Sequence, residues 1–263
     1  MSRQNYYYQR KKRQGEQVEM ALVIQLVQAE RKFQPRLGTR KLQVVLKKSL
    51  EEAGVKLGRD RLFEVLREAN LLVQPLPASF ARTTNSYHCL PIFKNRIKDL
   101  VVSKPNEVWV GDLTYVRTEE GFLYLALLTD KKSRKIVGYH CGDTLEAEGC
   151  IRALDQALRE MPKGASPIHH SDRGTQYCCH EYMNRLTDGG LSVSMTENNH
   201  CAENAMAERV NGILKAEYGL GRKFKNKEGG RLAADQAVYF YNTRRPHTAL
   251  GYQIPAEVHS LVA

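Results

Sequence analysis

Glu203-Asn204-Ala205-Met206-Ala207-Glu208-Arg209-Val210-Asn211-Gly212-Ile213-Leu214-Lys215-Ala216-Glu217 is the stretch on which the reading of the whole chain turns. Asn204, Ala205, Glu208, Asn211 and Gly212 recur at spacings of three and four, so the segment reads as a helix with these residues on one face. The small residues around Glu208 predict a close approach to another element, with the carboxylate buried and aimed into a site. Upstream, Pro167-Ile168-His169-His170-Ser171-Asp172 reads as a short apolar strand ending in an acid, followed by the turn residues Arg173-Gly174. Asp112 sits the same way in Val108-Trp109-Val110-Gly111-Asp112-Leu113-Thr114-Tyr115-Val116. Each acid alone has an ordinary reading: a strand-end turn residue, an Asx-turn before Gly174, a surface helix glutamate. Together, two acids on strands and one on a later helix can meet at one sheet edge, where three carboxylates suit hard divalent cations.

The surrounding sequence supplies the sheet. Glu107 to Val116, Phe122 to Thr129 and Ile136 to His140 are β-rich runs parted by turn residues, the pattern of an antiparallel meander. An amphipathic helix from Glu146 to Met161 follows, then the Ile168 strand, a helix near Glu181 to Leu186, the strand Leu191 to Met195 and the Glu208 helix. The expected fold class is α/β, a mixed five-stranded sheet flanked by helices, with Asp112 on the central strand and Asp172 at the end of the fourth. Residues Thr196 to Ala202 read as a mobile loop. A helix from about Glu228 to Tyr241 and a loop fixed by Pro246 and Gly251 complete the chain, and Pro255 opens a last short helix.

The N-terminal part has another texture. Residues 1–104 carry 21 basic against 9 acidic residues and residues 105–263 carry 19 against 20, so the whole basic excess lies in the first two fifths. That suggests a polyanion-holding arm on a catalytic body, with a solvated basic tail as the plainer reading. Gln17 to Lys32 reads as an amphipathic helix ended by Pro35. Leu42, Val45, Leu46 and Leu50 stripe a second helix closed by Gly54, and Leu62, Val65, Leu66 and Ala69 a third, with Asp60 as its N-cap. Arg36, Arg40, Lys41, Arg59 and Arg61 fall outside the stripes, which fits a DNA-binding helix-turn-helix or a plain helical hairpin with basic faces. Residues 74–104, aperiodic and punctuated by prolines, read as a basic linker.

At 263 residues the chain can bury a core without staples. It has no apolar run long enough for a membrane span and no apolar start for a signal peptide, so a cytoplasmic protein with no membrane partner is expected. The six cysteines form no C-x-x-C pair and read as reduced thiols.

The 35 residues between Asp172 and Glu208, with Asp112 about 60 residues earlier, resemble the DDE triad of retroviral-integrase-like transposases. His170-Ser171-Asp172-Arg173-Gly174-Thr175-Gln176-Tyr177 resembles the H-S-D-x-G-x-Q-Y box of bacterial insertion-sequence transposases, and Glu203 through Glu208 to Leu214-Lys215 resembles their D-N-A-x-x-E box. Tyr241-Asn242, Arg245-Pro246-His247 and Pro255-Ala256-Glu257 are similar to the ending of the B-frame (OrfB) product of the IS-three family. Gly38-Thr39-Arg40-Lys41-Leu42 resembles its helix-turn-helix, so the likeness spans nearly the whole chain. Glu203 stands where the family usually has Asp, Ile254 where Ser or Thr would cap the helix at Pro255, and Val210-Asn211 where aromatics are common.

The resemblance implies an RNase-H-like integrase core over 105–225, completed by 226–263 and preceded by a helix-turn-helix region over 1–73. It implies a transposase that cleaves the ends of an insertion element and joins the 3′-hydroxyl to another phosphodiester. Two Mg²⁺ ions, with Mn²⁺ as a substitute, would lie about 3.5 to 4 Å apart on Asp112, Asp172 and Glu208. Lys215 and Arg245 would contact DNA, with His170, Gln176, Asn204 and His247 in support. The partners implied are double-stranded DNA, further copies of the chain, and an upstream A-frame product or fusion supplying a multimerising zipper. The alternative is an inactive or purely nucleolytic relative on the same fold.

Overall fold

The structure, a computed structural model, describes residues 3–74, 90–197 and 203–261. The chain divides into two compact units, Met1–Pro77 and Ala78–Ala263.

The first unit contains α1 (Arg3–Arg31), α2 (Thr39–Glu52) and α3 (Arg59–Glu68). Val23 and Val27 of α1, Leu42, Leu46 and Leu50 of α2, and Leu62, Val65 and Leu66 of α3 close one apolar core. Gly54 ends α2 at φ +72. Its neighbours complete a Schellman cap, with Val55 N–H on Leu50 O and Gly54 N–H on Glu51 O. Two expectations are corrected. Helix α1 begins at Arg3 and not Gln17, because the single breaker in between, Gly15, costs only about 1 kcal/mol in a long helix. Asp60 is not the N-cap of α3, since Gly58 occupies that position and Asp60 pairs with Arg59 inside the first turn.

The second unit is built on β1 (Val108–Thr118), β2 (Gly121–Asp130), β3 (Ile136–Gly142), β4 (Ile168–Ser171) and β5 (Ser192–Met195), in the order β3-β2-β1-β4-β5. The first three strands form the antiparallel meander, and β4 and β5 continue the sheet in parallel. A further pair of residues, β6 (Lys223–Phe224), adds to β1 at Arg117 and Thr118. The β1–β2 hairpin turns in two residues, Glu119 and Glu120, with Gly121 at φ +110 and Thr118 Oγ1 donating to Gly121 O.

Helices α4 (Ala147–Glu160), α5 (Thr175–Cys178) and α6 (His180–Asp188) cover one face of the sheet, and α7 (Ala205–Glu217) and α8 (Lys227–Thr243) the other. On the first face Trp109, Ala126, Leu128 and Val137 meet Leu154, Tyr182 and Leu186; on the second, Val116, Leu123 and Leu125 meet Ile213, Leu214, Ala237 and Tyr241. Strand β3 touches α4 so closely that a Cβ on Gly138 would stand 2.1 Å from the Ala153 carbonyl oxygen. The short α9 (Pro255–Ser260) starts on Pro255 with no side-chain cap from Ile254, as the sequence suggests.

The stretch read as linker is in part a piece of this second unit. Ile97 is 5% exposed and packs with Val108, Val110 and Ala207. Asn95 N–H donates to Glu197, Asn95 Nδ2 to Glu203 and Arg96 N–H to Ser194 Oγ. One apolar residue and a few backbone donors are enough to dock a segment whose composition is that of a tether. Residues 75–89 and the loop residues 198–202 lie outside the described residues. Cys141, Cys150, Cys178 and Cys179 are free thiols, and among the described residues no helix is long and apolar enough to cross a membrane.

Candidate active site

The pairing of β1 with β4 brings two of the acids level. The parallel register sets Val110 opposite His170, and continued by two residues it sets Asp112 beside Asp172, where the two strands part. Beyond that point β1 has no strand on this side, among the described residues, until Arg117 pairs with β6. The opening leaves backbone groups to be satisfied by side chains. Asn204 Nδ2 donates to Gly111 O at 3.1 Å, and Leu113 N–H donates to Asp112 Oδ1 at 2.9 Å. Asp172 Oδ1 accepts from Gly174 N–H at 3.0 Å, an Asx-turn that fixes its carboxylate at the strand end.

The other oxygen of Asp112 accepts from Asn211 Nδ2 at 2.6 Å. Even with these two donors its carboxyl is pushed up to about 7. Burial contributes most, the charge of Asp172 comes next, and that of Glu208 adds to it. A carboxylate confronted by two others, among oxygen donors only, is the environment a hard divalent cation relieves, so the donor set fits such an ion. Among the described residues, no three acids, histidines or cysteines stand close enough to share one ion as placed.

Helix α7 differs from expectation in which face it buries. Asn204, Ala207, Asn211 and Leu214 form the inward stripe, while Ala205, Glu208 and Gly212 lie on the exposed flank. Glu208 is therefore open to solvent in the first turn of α7 and not enclosed. The small residues beside it leave space where close packing was expected. Asn204 and Asn211, seven residues apart, pin this helix to β1 on either side of Glu208. The role of Asn211 at Asp112 escaped the sequence reading, and the only signal for it is that two-turn amide spacing.

The supporting residues are mostly structural. His170 is fully buried, its Nδ1 2.8 Å from Ser194 Oγ, and burial lowers it to about 4, so it is neutral and does not face the opening. Gln176 Nε2 donates to Leu145 O, and His247 Nε2 lies 3.2 Å from Tyr241 Oη. Arg245, expected at DNA, is 1% exposed and donates to both oxygens of Glu217 at 2.7 and 2.8 Å. Its guanidinium is committed inside the core, which corrects that assignment. Lys215 is half-buried on α7, its Nζ 4.4 Å from the centre of the Tyr115 ring, with the charge of Asp112 acting on it. In the first unit Arg40, Arg59 and Arg61 are exposed and Arg36 and Lys41 half-buried. Arg59 and Arg61 pair with Asp60 and Glu64 at the surface, where such contacts are weak.

Two family models, each described as an integrase core domain, match residues 102–201 and 189–255. The chain is 37% identical over 260 residues to the insertion element IS600 uncharacterized 31 kDa protein of Shigella sonnei, covering 97% of this chain and 94% of that one. It is 35% identical over 213 residues to the transposase for insertion sequence element IS629 of Shigella sonnei, covering 77% and 71%. Among solved structures, a chain of the simian T-cell lymphotropic virus intasome in complex with PP2A regulatory subunit B56 gamma aligns with a TM-score of 0.52 at 17% identity. That alignment covers 88% of this chain and 73% of the viral one, and the likeness is one of fold.

Proposed function

Since the chain belongs to the IS3 family of insertion-sequence transposases and carries their integrase core, we propose that it cuts the ends of its element and joins the 3′-hydroxyl to another phosphodiester. The observation that carries this reading is Asp112 level with Asp172 on parallel strands, its carboxyl raised by Asp172 and Glu208. Asp112, Asp172 and Glu208 are the residues that would hold divalent magnesium, which when bound supplies charge neutralisation and an activated hydroxyl of water or of a DNA end.

What the chain's own residues contribute is position. Asn211 and the Leu113 N–H orient the two oxygens of Asp112, and the Gly174 N–H orients Asp172. Glu208, exposed on the first turn of α7, is the acid that DNA can approach. Direct displacement at phosphorus by an activated hydroxyl needs no covalent enzyme intermediate. Lys215 offers its charge to the phosphate beyond the cut, and the exposed Arg40, Arg59 and Arg61, with Arg36 and Lys41 beside them, offer theirs to the duplex. Holding two element ends takes at least two copies of the chain, with an upstream-frame product, fused or separate, as the partner that supplies multimerisation.

Purified protein with Mg²⁺ and labelled element ends is expected to give 3′ nicks and joined products, and Asp112→Asn, Asp172→Asn and Glu208→Gln to give neither while still binding DNA. Nicking without joining would mean a nuclease. Activity retained in any of the three variants would remove that residue from the triad.

A further inference from the structure

Among the described residues, the face of the sheet that α4 covers is not covered along its whole length. Leu113, Ala126 and Leu128 lie in the packed part with α4. Farther along the same face, Tyr115 and Arg117 of β1 and Phe122 and Tyr124 of β2 emerge at the hairpin end. Tyr115 stands opposite Tyr124 and Arg117 opposite Phe122 in the antiparallel register, and Arg117 stands beside Lys223 of β6. Tyr115 and Phe122 meet diagonally, edge to face, with ring centres 5.5 Å apart. Phe122 is 50% exposed, Tyr115 and Tyr124 are half-buried, and Arg117 and Lys223 are exposed.

Lys215 joins this cluster to the candidate active site. Its ammonium sits 4.4 Å from the centre of the Tyr115 ring and interacts with the charges of Asp112 and Arg117. Asp112 and Tyr115 leave β1 on opposite faces, and the gap between the β4 and β6 pairings is the passage from one to the other. They are three residue steps apart along the strand, about 10 Å, the rise of roughly three stacked nucleotides.

We propose that Tyr115 and Phe122, with Lys215, Arg117 and Lys223 around them, form a subsite for an unpaired DNA strand running away from the cut phosphodiester. Bases stack on the two rings and phosphates lie on the three cations. Aromatic faces beside fixed positive charge are what single strands bind without reading sequence. Two carboxylates, Glu119 and Glu120, stand at the hairpin turn against the three cations, and Glu120 accepts from the Lys227 N–H, so the positive charge remains in excess by one. An apolar protein partner would leave this charge without its complement. The proposal rests on the strand-transfer reading of the acids, and it assigns to that site a partly melted DNA end in place of a fully paired one.

The test compares binding of the full-length chain to a blunt DNA duplex and to the same duplex with a short unpaired end carrying 5-iodouracil. The unpaired end is expected to bind more tightly and to photo-crosslink to Tyr115 or Phe122. Tyr115→Ala is expected to reduce that preference about tenfold, roughly 1.4 kcal/mol, while Tyr115→Phe keeps it. Phe122→Ala, at a half-exposed position, reports the same loss independently of any folding defect at Tyr115. An unchanged preference in both alanine variants, crosslinks confined to other residues, or loss of self-association with the preference intact would overturn the subsite. Preference with no cutting or joining would instead sink the strand-transfer reading alone, and joining without preference would sink the subsite alone.

Discussion

Asn211 is where a single amide controls the chemistry of a carboxylate. It donates at 2.6 Å to Asp112, whose carboxyl already stands at about 7 against an ordinary 3.8. Removing the donor in Asn211→Ala raises that value further, so the low-pH limb of a pH–rate profile should move to higher pH. Activity near neutrality should fall about 10- to 100-fold, as for other groups that orient metal ligands. An unmoved limb with a lower plateau would make Asn211 merely structural. Because the folded value lies above the ordinary one, Asp112 favours the folded state fully below about pH 4 and loses that contribution as pH rises through about 7. Asp112→Asn should accordingly raise the melting temperature of metal-free protein at pH 8, by the equivalent of roughly 2 to 4 kcal/mol, and flatten its fall between about pH 4 and 7. Equal melting curves would show that the carboxylate is not under this strain. The acids themselves were legible because strand ends and a fixed spacing mark them. The exposure of Glu208 was not, because Ala205 and Gly212 suit an open flank as well as a packed one.

Elements differ in how openly the sequence declares them. The meander, the parallel strands and the inward face of α4 follow apolar period and appear where that period places them, whereas α7 buries a different face from the one its small residues suggested. Helix α1 ran past its apolar stripe because polar residues with good helix propensity carry no period to read. Gly138 looks like a weak point in β3 but serves the contact with α4, where a methyl group would meet the Ala153 carbonyl at 2.1 Å. Gly138→Ala should lower the urea midpoint by an amount corresponding to about 1 to 3 kcal/mol, without touching the acids. Arg245 similarly ties the loop after α8 to Glu217 at the end of α7. Breaking that buried pair with Arg245→Ala should cost about 3 to 5 kcal/mol, while the salt dependence of DNA binding stays the same. A shallower salt slope would restore Arg245 to the DNA surface.

For the molecule as a whole, the division of charge was the most readable property, and the boundary between its parts the least. Basic excess marks the first unit clearly, but the segment after it hides Ile97 and Asn95 in tether-like composition. A fragment from residue 90 to 263 should therefore fold as a stable body, whereas one from residue 105 should melt at lower temperature for want of the packing that Ile97 supplies. Both should show a log–log salt slope of DNA binding reduced by about 0.9 for each phosphate that the first unit holds in the full chain. An unchanged slope would mean that the basic unit does not hold DNA. The Asn95 attachment also has a mechanical meaning. It grips Glu197 and Glu203, the residues on either side of positions 198–202, just ahead of the helix that carries Glu208. The place where the chain enters the second unit is thus fastened to both sides of the stretch that precedes α7, so a displacement of residue 95 and a displacement of the start of α7 are one and the same movement.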